Sequence, residues 1–416
     1  MRILILTTVF PPEVRSAAQI MFELAETLKN FGHQVVVLTS IPEPMEGEKR
    51  TFGQQFIYKY KVSGIDVIGI SSLPIHRSNA PAIIRGIGQL VNGLAYFIYG
   101  VFLRKFDVSI AYSPPLTLGL VGLFLEKIRG TPHVFNVQDL VPQYAIDLGL
   151  LTNKTLIRLI KTIEHFVYRN VQVLTVHSQG NKDYLIGEGV PEQKVAIVPN
   201  WVDPDIVTPS PKDNNFRTKN NLQGKFVVLF AGVLGFAQDL DTILDSASFL
   251  KCAPEIIILI VGEGVEKERL QKKAVGLGLT NVVFHAFVSK EQYPEVVAAS
   301  DVCLASLHKS LKCPVIPSKI LGYMSGARPV ITSLSLEGDA PHVINNADCG
   351  ICVEPGEPQK LAEAILRLYK DPEKCNAYGA NGRVHTLQFY SRIECIRKYE
   401  QLFEALIQEK NKFPVL

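Results

Sequence analysis

The chain has 416 residues, 47% of them hydrophobic and 20% charged, with a formal net charge of +3. That length exceeds one ordinary core and predicts two domains of about 200 residues each. The apolar content excludes general disorder. The near-neutral balance, with no Lys/Arg run interleaved with aromatics, excludes nucleic acid as a partner.

MRILILTTVF opens the chain with a strand, Ile3–Leu6, and not with a secretory signal, because it carries no small-residue cleavage site. From Ala18 to Phe31 the apolar residues Ile20, Met21, Leu24, Ala25, Leu28 and Phe31 recur at helical spacing, and Gly32 stops the helix. Val35–Leu38 is the next strand. Between strands at Asp66–Ile70 and Asp107–Ala111 lies Gly86–Leu103, GIGQLVNGLAYFIYGVFL, 18 residues without a charge, flanked by Arg85 and by Arg104 with Lys105. Length makes it a marginal spanning helix, but four glycines, Gln89 and Asn92 dilute it. The two flanking strands should also share one sheet, which a span would forbid. A helix buried in the domain or one lying in a membrane interface, basic ends near anionic lipid, fits better.

Strands at His133–Val137, Val173–Val176 and Ala196–Val198 complete a strand–helix alternation that predicts a parallel sheet covered on both faces. The polar stretch between Asp205 and Gly224 breaks the pattern and marks the domain change. The rhythm restarts with Phe226–Ala231, the helix Asp241–Leu250, and strands at Ile256–Val261, Val282–Phe284, Val302–Ala305, Pro329–Ile331 and Gly350–Val353. An amphipathic helix, Arg392 to Gln408, closes the chain, with Ile393, Ile396, Leu402, Phe403, Leu406 and Ile407 along one side. Residues 1–203 and 204–388 are therefore read as two Rossmann-like α/β domains, followed by a helical segment, 389–416. The seven cysteines are an odd number, and Cys349 and Cys352 sit in an apolar run without a second pair at zinc spacing. They read as buried thiols of a protein from a reducing cytoplasm.

Ligands of open α/β sheets bind beyond the C-terminal ends of the strands, so the informative residues lie in loops just after strands. After Phe226–Ala231 comes AGVLGFAQDLDTIL, where Gly232 and Gly235 let backbone approach a ligand and a helix starting near Asp239 presents free N–H groups to a diphosphate. Packing or a plain turn also explains such a pair. In IPSKILGYMSGARPVI, Ser318 and Lys319 stand at a helix start, where a lysine can neutralise a leaving diphosphate. VGEG, with Gly262 and Glu263, follows the next strand and is by itself an ordinary turn, though small enough for a base or ribose to lie on it. In the first half, Arg15 and Ser16 follow the first strand, and Gln138 with Asp139 follow His133–Val137. Asp139 either orients an acceptor hydroxyl and takes its proton or caps the next helix.

At these residues the chain resembles glycosyltransferase family 4 of the GT-B superfamily, in its bacterial surface-polysaccharide branch. The runs FPPEVRSAA, AYSPPLTLGLVGLFLEKIRG, FNVQDLVPQYAIDLGLL, VPNWVD, FAGVLGFAQDLD, VGEG and VIPSKILGYMSGARPVI occur in family order across nearly the whole chain. The resemblance implies two domains facing across a cleft, with the last helix crossing back to the first. It also implies a nucleotide-diphosphate sugar donor, UDP ahead of GDP, with retention at the anomeric carbon and no metal or other cofactor. The acceptor would be lipid-linked or a growing glycan, and the protein cytoplasmic or at the cytoplasmic face of the membrane, touching it through residues 82–105. Gly232, Gly235 and Lys319 correspond to diphosphate contacts. Glu263 and Phe287 fall in the base and ribose region, and Arg15, Ser16, Gln138 and Asp139 on the sugar and acceptor side.

The chain departs from the family in places. Two glutamates eight positions apart are replaced by Pro314 and Gly322, two glycines after the first strand by Ser16 and Ala17, and a frequent histidine by Gln138. The pairs Asp203/Asp205 and Asp239/Asp241 spell DxD but fall in the interdomain segment and the phosphate loop, so no metal role is read into them. Two rivals share the plan: a UDP-sugar 2-epimerase, and a non-catalytic scaffold for which the missing glutamate at 322 argues.

Overall fold

The computed structural model describes residues 1–13, 15–41, 56–71 and 82–412. The chain forms two compact units, one of Met1–Gln143, Thr152–Val198 and Ile393–Leu416, the other of Tyr144–Leu151 and Pro199–Arg392.

The elements of the first run are β1 (Arg2–Leu6), α1 (Ser16–Asn30), β2 (Gln34–Ser40), β3 (Ile57–Val62), β4 (Ile65–Ile70), α2 (Ala82–Phe102), β5 (Val108–Ser113), α3 (Leu116–Arg129), β6 (His133–Val137), α4 (Gln143–Asp147), α5 (Lys154–Asn170), β7 (Val173–Val176), α6 (Gln179–Gly187) and β8 (Val195–Ile197). The sheet order is β3-β4-β2-β1-β5-β6-β7-β8. β1, β5 and β6 are wholly or almost wholly buried, as strands covered on both faces must be. β4 and β5 lie in this one sheet on either side of α2 in sequence, as the topological reading of that segment requires. No described helix is long and apolar enough to cross a membrane.

One strand was not foreseen. β3, IYKYKV, pairs antiparallel with β4 at the sheet edge. Its exposed lysines dilute the apolar signal, which is how edge strands avoid further pairing. Ser63 and Gly64 make the two-residue turn, both at positive φ.

The second unit contains α7 (Asn215–Lys219), β9 (Phe226–Ala231), α8 (Leu240–Phe249), β10 (Ile256–Val261), α9 (Lys267–Gly276), β11 (Val282–His285), α10 (Tyr293–Ala298), β12 (Val302–Ser306), α11 (Lys319–Ser325), β13 (Val330–Ser333), α12 (Asp339–Asn346), β14 (Gly350–Val353), α13 (Pro358–Lys370) and α14 (Pro372–Phe389). Its sheet, β11-β10-β9-β12-β13-β14, is parallel throughout. β10, IIILIV, is buried at every position and packs with Phe230, Leu304, Ile243 and Ile365 in one core. Arg217, 1% exposed, fastens the entry to this sheet. Its guanidinium donates to Asp301 Oδ2 at 2.5 Å and to the carbonyls of Ala299 and Lys225, and the same Asp301 oxygen accepts from Val227 N at the start of β9. A buried ion pair with its remaining donors satisfied in this way avoids an uncompensated charge.

The short segment Tyr144–Leu151 belongs to the second unit although the chain on both sides of it belongs to the first. Asp147 explains the attachment. One of its carboxylate oxygens accepts from Lys312 N at 2.7 Å and Cys313 N at 2.9 Å, anchoring the loop that leads into α11.

The final helix, α15 (Arg392–Lys412), joins the first unit. Its buried side is Ile396, Tyr399, Phe403 and Leu406; Ile393, expected on that side, is 47% exposed. The Tyr399 hydroxyl accepts a short hydrogen bond from Asn136 Nδ2 on β6, and Glu400 lies 2.7 Å from His33 Nε2. Tyr399→Phe leaves the buried Asn136 amide without that acceptor. It should lower unfolding free energy by about 1–3 kcal/mol in urea titrations, with an unchanged m-value. An unaltered midpoint would mean that this bond does not hold α15 in place.

Candidate active site

In the second unit, β9, β10 and β11 end in register: Ala231 pairs with Val261, and Val261 with His285. The loops that follow continue the ladder, Gly232 N donating to Val261 O at 3.0 Å and Gly262 N to His285 O at 3.1 Å. The first two loops then lie directly on each other. Leu234 N donates to Glu263 O at 2.8 Å, and Glu266 N to Leu234 O at 3.1 Å. A Cβ at Gly262 would stand 1.9 Å from the Gly232 carbonyl oxygen, and one at Gly264 2.3 Å from the Leu234 oxygen. Both glycines are at positive φ. Backbone packing therefore accounts for both glycines of VGEG.

After Gly235 the chain makes a 3-10 turn, Phe236–Gln238, and passes through Asp239 at φ 45° before α8 begins at Leu240, between the two starts read from sequence, Asp239 and Asp241. The first N–H groups of such a turn have no acceptor within it. Gly235 itself has ordinary φ, and a Cβ there would make only an ordinary van der Waals contact, 3.7 Å from the Val233 side chain.

Lys319 reaches these loops from α11. Its ammonium lies 3.6 Å from the centroid of the Phe230 ring and donates to Gln238 Oε1 at 2.8 Å. A Cβ on Gly232 would be 2.9 Å from Lys319 Nζ. Among the described residues no carboxylate pairs with this lysine. Burial pulls its ammonium down to about 7 from the usual 10.5. Tyr323, one turn later on the same face of α11, sets the distance: its hydroxyl accepts from Ala231 N at 2.9 Å and is 3.4 Å from Ala231 O. Gln238, Phe230 and Tyr323 were not singled out from sequence. The i, i+4 spacing of Lys319 and Tyr323 in SKILGYM was the available signal.

The remaining candidates are dispersed around this centre. Ser318 is exposed, has helical dihedrals and makes no capping bond. Glu263 is half exposed and paired with Lys267 at 2.5 Å. Phe287, after β11, shows 59% of its surface. Gly322 is buried, and a Cβ there would meet the Tyr293 hydroxyl at 2.7 Å, so the space of the family's second glutamate is taken by a tyrosine.

Three of the four DxD carboxylates have protein partners. Asp203 pairs with Arg392, Asp239 accepts from Thr242 Oγ1, and Asp241 is held by Arg269 and Lys273, whose hydrogen bonds and charges bring its carboxyl down to about 2. Cys349 is fully buried and Cys352 partly so, and burial raises both thiols.

In the first unit, Gln138 and Asp139 follow β6, whose last residue, Val137, pairs with Ser113 at the end of β5. Gln138 is buried and donates to Asn136 Oδ1 at 2.8 Å, while its carbonyl is 3.1 Å from His177 Nε2. Asp139 is exposed, yet the protein massed around its carboxyl raises it above the usual range. It does not head a helix directly, since α4 starts four residues later. Arg15 precedes α1, exposed and paired with Glu13 at 3.5 Å, and Ser16, also exposed, is the first helical residue.

The glycines differ in kind, and substitution separates them. Gly262→Ala should destabilise the protein by about 1–3 kcal/mol through overpacking and backbone strain, whereas Gly235→Ala should stay within about 0.5 kcal/mol. Thermal unfolding of the two variants checks this; equal shifts would contradict the loop-on-loop contact.

Two family models divide the chain: a glycosyl transferase 4-like domain matches residues 17–201, and glycosyl transferases group 1 matches residues 211–385. The chain is 24% identical over 383 residues to the putative colanic acid biosynthesis glycosyl transferase of Escherichia coli K12, covering 90% of this chain and 93% of that one. It is 22% identical over 380 residues to a GDP-mannose-dependent alpha-mannosyltransferase of Mycobacterium tuberculosis, covering 90% and 89%. Among solved structures, Anabaena HepE in complex with UDP is similar, with a TM-score of 0.71, 18% identity and coverage of 97% and 100%. Two family models in tandem, each on its own Rossmann-like unit, place the chain among the family 4 glycosyltransferases of GT-B type, as a hexosyltransferase-type enzyme.

Proposed function

We propose that this enzyme is a retaining glycosyltransferase that moves a sugar from a nucleotide-diphosphate donor to a lipid-linked or growing glycan acceptor in cell-surface polysaccharide synthesis. In this reading it works in the cytoplasm, peripheral to the inner membrane through residues 82–105. The observation that carries the donor assignment is Lys319: a desolvated ammonium without a counter-carboxylate, packed on Phe230 and Gln238 beside Gly232. A cation so placed gains most from an anionic ligand. In this reading Gly232, Gly235 and Ser318 line the diphosphate, with Gly262, Glu263 and the exposed Phe287 ring beside base and ribose. The UDP-bound neighbour favours UDP and the mannosyltransferase relative favours GDP, so the base is a matter for measurement.

The reaction breaks the bond between the anomeric carbon and the diphosphate oxygen through an oxocarbenium-like state and forms the bond to the acceptor oxygen on the same face. Lys319 stabilises the charge on the departing diphosphate. Asp239 and Glu263 are engaged by Thr242 and Lys267, which leaves neither poised as a covalent nucleophile. The acceptor proton then passes to the leaving phosphate oxygen. Asp139, its carboxyl raised, orients the acceptor hydroxyl, with Arg15, Ser16 and Gln138 on the sugar and acceptor side.

Lys319→Ala should lower kcat by a factor of about 100 or more and abolish the rise in melting temperature produced by the correct nucleotide in a screen of UDP, GDP and ADP. Wild-type turnover in that variant would remove Lys319 from the mechanism. Donor incubated without acceptor should keep its configuration at C2, and NMR of the transferred sugar should show the donor's anomeric configuration. Conversion of donor alone would favour the epimerase.

The low ammonium value also fixes a pH dependence. The free site loses its proton as pH rises through about 7, while the occupied site, facing a diphosphate, keeps it. Binding of a nucleotide sugar above that pH therefore takes up a proton. Affinity should be flat below about 7 and weaken toward about tenfold per pH unit above it. Calorimetry in buffers of different ionisation enthalpy measures the uptake, which Lys319→Arg should remove.

A further inference from the structure

α2 is inside out for a water-facing helix. The side turned into the protein carries Gly88, Asn92, Gly93, Tyr96 and Gly100, all buried. The Tyr96 hydroxyl donates to Thr7 O at 3.1 Å and lies 3.0 Å from Ser40 Oγ. The glycines bring the helix close onto α3: a Cβ at Gly93 would lie 3.3 Å from the Thr117 side chain and one at Gly100 3.1 Å from Leu125. The opposite side shows Leu90, Leu94 at 58% exposure, Ile98 at 51% and Phe102 at 83%, each four residues after the last. Burial alone would have turned these four inward.

The apolar surface continues beyond α2. α3 packs against α2, with Phe97 and Phe124 in ring contact at 5.8 Å, and it exposes Phe124 and Ile128. Six large apolar side chains on two adjacent helices make a patch on the order of several hundred Å², the size at which exposed patches mark interaction sites.

The charge around this surface is predominantly positive. Arg104, Lys105 and Lys127 are exposed at the end of α2 and along α3. Arg129 donates to the carbonyls of Val101 and Leu103, and together with Arg104 and Lys105 it rims a shallow recess floored by Gly100, Leu103 and Leu125. Lys105 also crowds Lys410 of α15, whose ammonium is lowered by burial and then by that neighbour. Two acids lie nearby: exposed Asp107, which accepts from Arg2 N, and Glu126, whose carboxyl burial raises to about 7.

We propose that the outer faces of α2 and α3 form an interfacial membrane-binding surface that lies in an anionic phospholipid bilayer, Leu90, Leu94, Ile98 and Phe102 entering the acyl region and Arg104, Lys105 and Lys127 meeting lipid phosphates. Apolar side chains rimmed by cations match the headgroup boundary of an anionic leaflet in both layers of its chemistry. This deepens the peripheral-membrane reading above and is independent of the donor.

The test is sedimentation of the full-length protein with vesicles of phosphatidylcholine alone or mixed with phosphatidylglycerol. Wild type should bind the mixed vesicles at least about tenfold more tightly than the neutral ones, with the difference shrinking as salt rises. Leu94→Asp combined with Ile98→Asp should lose binding by about tenfold or more while keeping the nucleotide-induced rise in melting temperature. Arg104→Glu with Lys105→Glu should remove the anionic preference. Ile98→Trp should be quenched by lipids brominated in the acyl chain. Vesicle binding unchanged by the Leu94/Ile98 pair, absent in wild type, or equal for both vesicles would overturn the proposal. So would a concentration-dependent dimer abolished by the same pair, since a second copy would then cover the face. Failure of nucleotide protection with vesicle binding intact would strike the donor assignment and leave this one standing.

Discussion

The geometry around Lys319 depends on one backbone contact, the Gly262 Cα pressed against the Gly232 carbonyl oxygen where β9 and β10 end. Parallel pairing brings the two strand ends level, and each following loop inherits its neighbour's position through a main-chain bond. No side chain fits between them. The Tyr323 hydroxyl then spans the N–H and carbonyl of Ala231, so α11 is keyed to the same strand end. From that anchored helix, a turn ahead of the tyrosine, Lys319 lies across Phe230 toward Gly232. The helix that carries it is held by the hydrogen bonding of a residue four places away.

Much of this architecture was legible in the sequence because parallel sheets write themselves plainly. Runs such as Ile256–Val261 have no polar face, and turns rich in glycine follow them at the strand ends where ligands of such sheets bind. Lys319 could be found because Pro317 and Ser318 announced a helix start. What could not be read was anything fixed by contacts between distant residues. Gln238 is one polar residue in a loop until Lys319 arrives from 81 positions away. Asp147 looks like part of the first domain, and only its bonds to Lys312 N and Cys313 N tie its segment to the second unit. The edge strand Ile57–Val62 escaped because its lysines suit an exposed edge and spoil the apolar pattern. That Gly262 packs against another main chain is likewise invisible in the motif VGEG.

The first unit shows the converse of that last case. Its α2 was readable as apolar, and three readings stood open, but the decisive feature is which side of the helix faces inward. Periodicity identifies an amphipathic stripe and predicts that the stripe is buried. The rule fails when small and polar residues are the ones that pack closely, as Gly93 and Gly100 do on α3. Close approach of two helices through small residues frees their large side chains to point away. The same composition that dilutes the segment as a spanning helix therefore makes it a good surface one.

The replacement of the family's second glutamate bears on whether the site is alive. A carboxylate at position 322 would enter the space of the Tyr293 hydroxyl, a partly buried phenol whose ionisation is suppressed by desolvation. The substitution is thus a repacking, with a neutral hydroxyl where a negative charge would otherwise stand, and not an empty hole. Removing that charge changes the balance around the lysine. Without a nearby carboxylate to compensate it, Lys319 is held in the charged form less strongly, and its proton is retained best by something that brings negative charge into the site. A structural lysine would lose this tension by pointing to water, and the tyrosine that anchors α11 does not require a lysine at 319 at all. The partners of the ammonium, Phe230 and Gln238, are both uncharged, which suits the proposed anionic donor and favours that reading over an inert scaffold.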